Sequence, residues 1–430
     1  MSEKLSTQPY KGTRDFYPQE MRLRNWFFGV IRDVLETSAF DEYNGPMLES
    51  LDLYAAKSGE EIANEQTYNF TDRGDRRLAI RPEMTPTVAR MVAGKIGELN
   101  FPLKWFSIPN MYRYERPQRG RLREFWQINV DIFGCDTYEG DLEAIASAIN
   151  ILRAYGADES MFTVHINNRR FFNDVIAAIA GTDAEGSRKV SKVIDRKNKI
   201  PREAYEKELT ELGLGAEQIA KIDSLYTMSV TDATDICPES VGSTELRQLF
   251  DALEKTGLLK YCVFDFGIIR GLDYYTGTVF EVFDNAPENN RAMFGGGRYD
   301  NLVGLFVKNK ISGVGYGMGD VTLENFLFTH KLVPETFGSG VKVLVTRFDD
   351  VPYEQYTAIA DKLRENGIVS SVYLGSKKFG KQIDFAVKDG YSHVVIMGGD
   401  ELFRGIVRLK NLSTREETEQ PLFDVIEKLK

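Results

Sequence analysis

The sequence predicts a mixed α/β protein in two parts. Three observations carry this. Residues 341–430 alternate strand and helix patterns segment by segment, as in VKVLVTRF, PYEQYTAIADKLRENG, IVSSVYL and HVVIMG. Strand-like sequence at 102–133 and again at 261–318 is separated by a charged, helix-favouring stretch. The segment HKLVPETFGSG at 330–340 has the composition of a linker. The expected domains are therefore 1–330, with a helical insertion at about 170–257, a linker at 331–340, and a compact α/β domain with a partly parallel sheet at 341–430.

In chain order, 18–40 carries Met21, Trp26, Phe27, Val30, Ile31, Val34 and Leu35 at helical spacing. RPEMTPTVAR at 81–90 reads as a strand end turning into a helix, with Glu83 and Thr85 beside a helix start that favours anions. NMYRYE and REFWQINVDIF suit two strands of a hairpin with RPQRGRL as its long loop. The insertion follows, rich in Lys and Glu and broken by Gly and Pro. IIRGLDYYTGTVFE at 268–281 puts Arg270 and the pair Tyr274–Tyr275 in a turn between apolar strands. GGGRYD at 295–300 reads as a glycine-lined turn. GVGYGMGDVTLENFL at 313–327 alternates glycine through a strand, then opens a helix capped by Asp320. Glycines placed so let a flat ligand lie against the backbone.

Composition excludes several classes of function. The apolar fraction is 42% and the charged fraction 27%, ordinary for a globular chain. No apolar run reaches membrane-spanning length, and the first residues lack the apolar core of a signal peptide. Three scattered cysteines, Cys135, Cys237 and Cys262, form no CxxC pair, which argues against a disulfide framework or a zinc site and fits a reducing cytoplasm. Three histidines argue against a His-ligated metal or a serine–histidine triad. The formal net charge is −10. A nucleic-acid surface can still be local.

Against that acidic total, MYRYERPQRGRLREFWQ concentrates Arg113, Arg116, Arg119, Arg121 and Arg123 within residues 113–123. The period-2 rule splits the second strand into an apolar face (Trp126, Ile128, Val130, Ile132) and a polar one (Arg123, Phe125, Gln127, Asn129, Asp131). A face that can stack, donate and accept suits a polar ligand, and guanidinium forks suit phosphate. The other reading is a solvated face of weak surface ion pairs.

Taken together, RYERPQRGRLREFWQ, RGLDYYTGTVFE, GGGRYD, RPEMTPTVAR and the looser YNGPMLESLDLY resemble the histidyl-tRNA synthetase family of class II aminoacyl-tRNA synthetases over nearly the whole chain. The resemblance implies a catalytic domain built on a mainly antiparallel sheet, a C-terminal anticodon-binding domain and a cytoplasmic homodimer. It implies ligation of L-histidine to its tRNA through a histidyl-adenylate, with ATP and Mg2+ as substrate and no tightly bound cofactor. It places Arg113 on the α-phosphate, Glu115 on the adenine amino group, Arg121 on the outer phosphates and Phe125 against adenine. Glu83, Thr85 and Gln127 would hold the histidine amino group, Asp131 and Tyr275 would bracket the imidazole, and Tyr274 would line the pocket. Arg270 would bridge the substrate carboxylate and the α-phosphate, and Arg113 and Arg270 would be the catalytic pair. Arg116 and Gln118 would reach the tRNA acceptor end. Two positions depart from the family. It usually has Glu at 131, where this chain has Asp, and its Gly-rich motif commonly ends in an arginine, where this chain has Thr322. The competing functions are a regulatory subunit of ATP phosphoribosyltransferase, which typically lacks the C-terminal domain, and a non-enzymatic RNA-binding sensor.

Overall fold

The structure is a computed structural model that describes residues 5–55, 66–182, 184–194, 196–197, 200–268, 274–289, 291–335, 337 and 341–430. Arg270 and part of the expected linker lie outside the described residues. The chain divides into two compact units, Met1–Val333 and Pro334–Lys430.

In the first unit, α1 (Pro18–Thr37) and β1 (Asp41–Glu42) lead into a small sheet of β2 (Leu48–Ser50), β3 (Asn69–Thr71) and β4 (Arg77–Ile80), with the short α2 (Leu51–Ala55) between them. Then come α3 (Thr85–Gly94), β5 (Leu103–Ser107), β6 (Asn110–Tyr112), β7 (Glu124–Phe133), α4 (Tyr138–Ala154) and β8 (Phe162–Asn168). The helices α5 (Arg169–Ala180), α6 (Ala184–Ile194), α7 (Arg202–Glu211), α8 (Ala216–Ser224), α9 (Val230–Thr234) and α10 (Val241–Lys255) fill the connection to β9 (Cys262–Phe264). The unit closes with β10 (Thr278–Asp284), β11 (Ala292–Tyr299), β12 (Gly313–Gly319) and α11 (Asp320–Thr329).

Among the described residues the central sheet runs β1-β5-β7-β12-β11-β10-β8-β9, with β6 added beside β7. It is antiparallel except at its two ends, β1 with β5 and β8 with β9. One face is buried under α1 and α4. Phe27, Phe28, Ile31 and Leu35 recur at helical spacing on α1 and pack with Ile128, Val130 and Ile132 of β7 and Val314, Tyr316 and Met318 of β12. The alternation that buries those strand residues turns Gln127, Asn129 and Asp131 to the opposite face.

GGGRYD is not a turn. Its first five residues lie within β11, all paired with β12 and the three glycines with β10 as well. The glycines are there for close packing: a Cβ on Gly296 would stand 2.2 Å from the Gly315 carbonyl oxygen, and one on Gly295 2.7 Å from that of Phe280. Arg298 of the same motif turns to the helix side. At 2% exposure it donates to Asp141 of α4 and to the carbonyls of Cys135 and Thr137.

The second unit has a sheet ordered β14-β13-β15-β16-β17: β13 (Lys342–Val345), β14 (Val369–Val372), β15 (His393–Ile396), β16 (Val407–Asn411) and β17 (Glu417–Gln420). The β13–β14 and β13–β15 pairs are parallel, the others antiparallel. The helices Tyr353–Glu365 and Leu422–Leu429 bury Tyr356, Ile359, Leu363, Val425 and Ile426 against it.

Candidate active site

The arginine stretch is a hairpin arm. β6 and β7 pair antiparallel with Tyr112 opposite Glu124, and the arm continues through Arg113 N donating to Arg123 O at 2.9 Å. The first strand stops sooner than its sequence predicts, because Glu115 N turns back onto Arg113 O at 2.8 Å and leaves the ladder. The tip closes through reciprocal Gln118–Arg121 backbone bonds, with Gly120 at φ +77°.

The five arginines divide by role. Arg113 donates Nε to the Pro82 carbonyl at 2.9 Å, with its guanidinium 5.2 Å from the Phe125 ring centroid. Arg121 reaches Glu115 at 3.3 Å. These two, with Glu115, Phe125 and Gln127, line a cleft of about 230 Å³ whose far wall includes Met293, Gly317 and Thr322. Arg119 crosses to Asn289 at 3.0 Å, while Arg116 and Gln118 are exposed on the arm. Arg123, which had no assigned role, is structural. It lies between the rings of Tyr10 and Tyr114 and donates to the Tyr10 hydroxyl at 2.6 Å. The Gly12 carbonyl accepts from both Arg123 N and Glu124 N, so the segment around Tyr10 and Gly12 straps the base of the arm.

One sequence expectation changes here. Asp320 does not cap its helix. Gly319 is the N-cap, and Asp320, the first helical residue, accepts from Trp126 N at 3.0 Å and from Arg14 at 2.6 Å. Gly319 still pairs with Gln127, so the side chain that follows meets β7 instead of its own helix end. Thr322 lines the cleft, and its hydroxyl is engaged by the Met293 and Gly319 carbonyls, at 2.7 and 3.1 Å.

Beside the cleft the sheet has a glycine floor. Asp131 pairs with Gly315, Gly315 with Gly297, and Asn129 with Gly317. A Cβ on Gly315 would lie 2.8 Å from Asp131 Oδ1, one on Gly317 2.7 Å from Gln127 Nε2, and one on Gly297 3.1 Å from the Tyr275 ring. Glu83 enters from the β4–α3 connection, 3% exposed, and accepts from the Tyr274 hydroxyl at 3.2 Å. Thr85 opens α3 close by. Tyr274 meets Tyr275 and Tyr299 edge-on at 5.2 and 5.8 Å between centroids. Burial first, then the charges of Glu83 and Asp131, push the Tyr275 phenol up, so both carboxylates act on this pocket.

Asp131 is 2% exposed, and burial raises its carboxyl to about 7, against hydrogen bonds from Tyr299 and Tyr43 that hold it down. Tyr299 donates to Oδ1 and Tyr43 to Oδ2, the latter at 3.4 Å. Neither tyrosine was singled out in the sequence. For Tyr299 the signal existed, since two residues along β11 put it on the face of Gly297. For Tyr43 none did, because its approach depends on β1 pairing with β5 and β5 with β7. A larger cavity of about 620 Å³ opens near Thr276 and Lys310, but its Arg170 is already paired with Glu245 and Asp300.

Joining an amino acid to a nucleotide takes a place for a polyanion next to a small, dry, selective pocket. Set on this antiparallel sheet, that pairing defines a class II aminoacyl-tRNA synthetase. A family model described as histidyl-tRNA synthetase matches residues 12–321, and one described as anticodon binding domain matches 342–430. The chain belongs to the histidyl-tRNA synthetase family. A histidine–tRNA ligase of Leptospira biflexa is 44% identical, covering 100% of this chain and 98% of that protein. The chloroplastic/mitochondrial histidine–tRNA ligase of Arabidopsis thaliana is 35% identical over 98% of this chain and 87% of that one. The crystal structure of histidyl-tRNA synthetase from Nostoc sp. PCC 7120 superposes with a TM-score of 0.82 at 26% identity, covering 99% of both chains. A Bacillus halodurans structure described as ATP phosphoribosyltransferase regulatory subunit/histidyl-tRNA synthetase has a TM-score of 0.75 at 22% identity, which shows the shared fold alone. The chain ligates L-histidine to its tRNA with ATP, through a histidyl-adenylate, and the regulatory-subunit and sensor readings are not favoured.

Proposed function

We propose that the cleft under the arginine hairpin holds ATP and that the glycine-floored pocket holds the histidine it activates. The observation that carries this reading is the convergence of Arg113, Glu115, Arg121, Phe125 and Gln127 on one cleft, from a strand whose next polar residues lead to Asp131. Arg113 meets the α-phosphate, Arg121 the outer phosphates, Glu115 the adenine amino group, and Phe125 stacks on the base. Gln127, Glu83 and Thr85 take the histidine amino group. Asp131 accepts from the ring N–H, with Tyr274 and Tyr275 lining the imidazole. Arg270, outside the described residues, is assigned to the bridge between carboxylate and α-phosphate.

The histidine carboxylate oxygen attacks the α-phosphorus, the new O–P bond forms as the bond to pyrophosphate breaks, and no protein nucleophile intervenes. Fixed guanidinium groups stabilise the charge that develops on the phosphoryl oxygens. The tRNA terminal hydroxyl then displaces AMP from the acyl carbon. Arg116 and Gln118, exposed on the arm, reach the acceptor end, and the second unit binds the anticodon.

Magnesium arrives with ATP. An ion of this kind is carried chiefly by substrate phosphates and water. A homodimer is supported by Met47, Leu48 and Phe70, each 44–45% exposed on the small sheet in and beside YNGPMLESLDLY. No described helix is long and apolar enough to cross a membrane. The cysteines are free, which supports a cytoplasmic setting.

Histidine-dependent pyrophosphate exchange tests the core of this reading. Arg113→Ala lowers the exchange rate by roughly 100- to 1000-fold, the usual loss when one preorganised group is removed. Exchange near the wild-type rate would remove Arg113 from the site.

A further inference from the structure

We propose that Tyr43 and Tyr299 are positioning residues that clamp the Asp131 carboxylate from opposite sides and thereby set the pocket's selection of a neutral imidazole ring. The inference rests on the reading of Asp131 as acceptor for the ring N–H.

Three observations support it. First, the two hydroxyls come from different parts of the sheet, Tyr299 from β11 on one side of β7 and Tyr43 from just past β1 on the other, and each takes one carboxylate oxygen. A carboxylate oxygen accepts two hydrogen bonds, so each oxygen keeps one acceptor position after the tyrosine is satisfied. Second, the groups facing Asp131 are phenols. Tyr43 and Tyr299 bond to it, and Tyr274, like Tyr275, feels its charge. Glu83 acts on Tyr274 and Tyr275 as well, and Arg81 acts on Tyr43. Neutral donors fix the oxygens in place without cancelling the negative charge that a ring N–H needs. Third, the Asp131 side chain has a single methylene and stands over Gly315, where a Cβ would lie 2.8 Å from Oδ1. A short side chain over Gly315 has little reach of its own, and two lateral donors determine where its acceptor positions point.

The clamp has a second effect. Burial favours the protonated acid, and both hydroxyls oppose it. A protonated Asp131 loses acceptor capacity toward the ring, so removing either hydroxyl weakens histidine binding most at neutral and lower pH.

Pyrophosphate exchange is measured with varied histidine and varied ATP between about pH 5.5 and 9 for wild type, Tyr43→Phe, Tyr299→Phe and Asp131→Asn. Both phenylalanine variants raise the histidine KM at neutral pH, by about fivefold to tenfold for Tyr299→Phe. The effect is smaller for Tyr43→Phe, whose contact is long for a bond between oxygens. The acid limb of kcat/KM for histidine shifts to higher pH, and the ATP KM stays within about twofold. A purely structural role would lower activity against both substrates and leave the acid limb in place. The clamp is overturned if both phenylalanine variants keep the wild-type histidine KM and acid limb while Asp131→Asn raises that KM. If Asp131→Asn also leaves the histidine KM unchanged, the reading of Asp131 as ring acceptor falls with it. Should Tyr299→Phe fail to fold, the half-buried Tyr43 decides alone.

Discussion

A buried arginine and a buried aspartate show how differently single residues serve this fold. Arg298 follows three glycines in the GGGRYD stretch. Folded, it has Asp141 and two carbonyls for partners and faces away from the site. Desolvation outweighs even this cation, so the Asp141 carboxyl rises to about 6. Arg298→Leu strands that carboxylate and is expected to cost about 3–5 kcal/mol, read by denaturant unfolding. Asp131 is the reverse case. Its carboxyl stands near 7 in the folded protein, against 3.8 ordinarily. The folded chain therefore keeps a proton that the unfolded chain has released, and stability falls as pH rises from about 4 to 7. Asp131→Asn removes that cost. It raises the unfolding temperature by a few degrees at pH 8 and leaves it unchanged at pH 3, while histidine-dependent exchange collapses. Thermal scans at the two pH values check this. The alternation of β7 made Asp131 legible, because one strand carries its own period. The other half of its environment was not, because Tyr43 and Tyr299 reach it through pairings that only the assembled sheet creates.

Among the elements, the hairpin and β11 mark what pattern reading can and cannot recover. The hairpin was readable because its turn residues and its alternating strand lie next to each other in the chain. β11 was misread because a run of glycines signals a turn locally, whereas here glycine answers the close approach of two neighbouring strands. Gly296→Ala would set a Cβ 2.2 Å from the Gly315 carbonyl and 2.5 Å from Tyr316 Cβ, so β11 and β12 must separate. The expected outcome is insoluble or strongly destabilised protein, whereas alanine at Gly304, where nothing lies within 4 Å, leaves the unfolding midpoint unchanged. The strap at residues 10–16 was invisible as a functional element. Deleting residues 1–16 removes the Gly12 and Tyr10 anchors of Arg123 and the Arg14 anchor of Asp320. A several-fold rise in the ATP KM with a smaller change in that for histidine is the expected result in exchange kinetics.

For the whole molecule, the two compact units meet in sequence at Val333 and Pro334. Truncation after Val333 is expected to leave histidine-dependent exchange measurable and to reduce tRNA charging severely. Full charging by the shortened chain would give the second unit another task. The order of the central sheet has a further consequence, in the time course of synthesis. β7 ends at residue 133, and the strand that covers its inner edge, β12, begins at 313. A ribosome therefore delivers a ten-residue strand with one apolar face well before its partner, with the helices between β8 and β9 still to come. Nothing local can protect that edge in the interval, and such pairings between distant segments are slow to form. Chains released near residue 300 are accordingly expected to aggregate in a cell-free translation reaction unless a chaperone holds them, and chains released just after Val333 to remain in the supernatant. The Arg14–Asp320 bond of the strap also forms late, since Asp320 follows β12 in the chain.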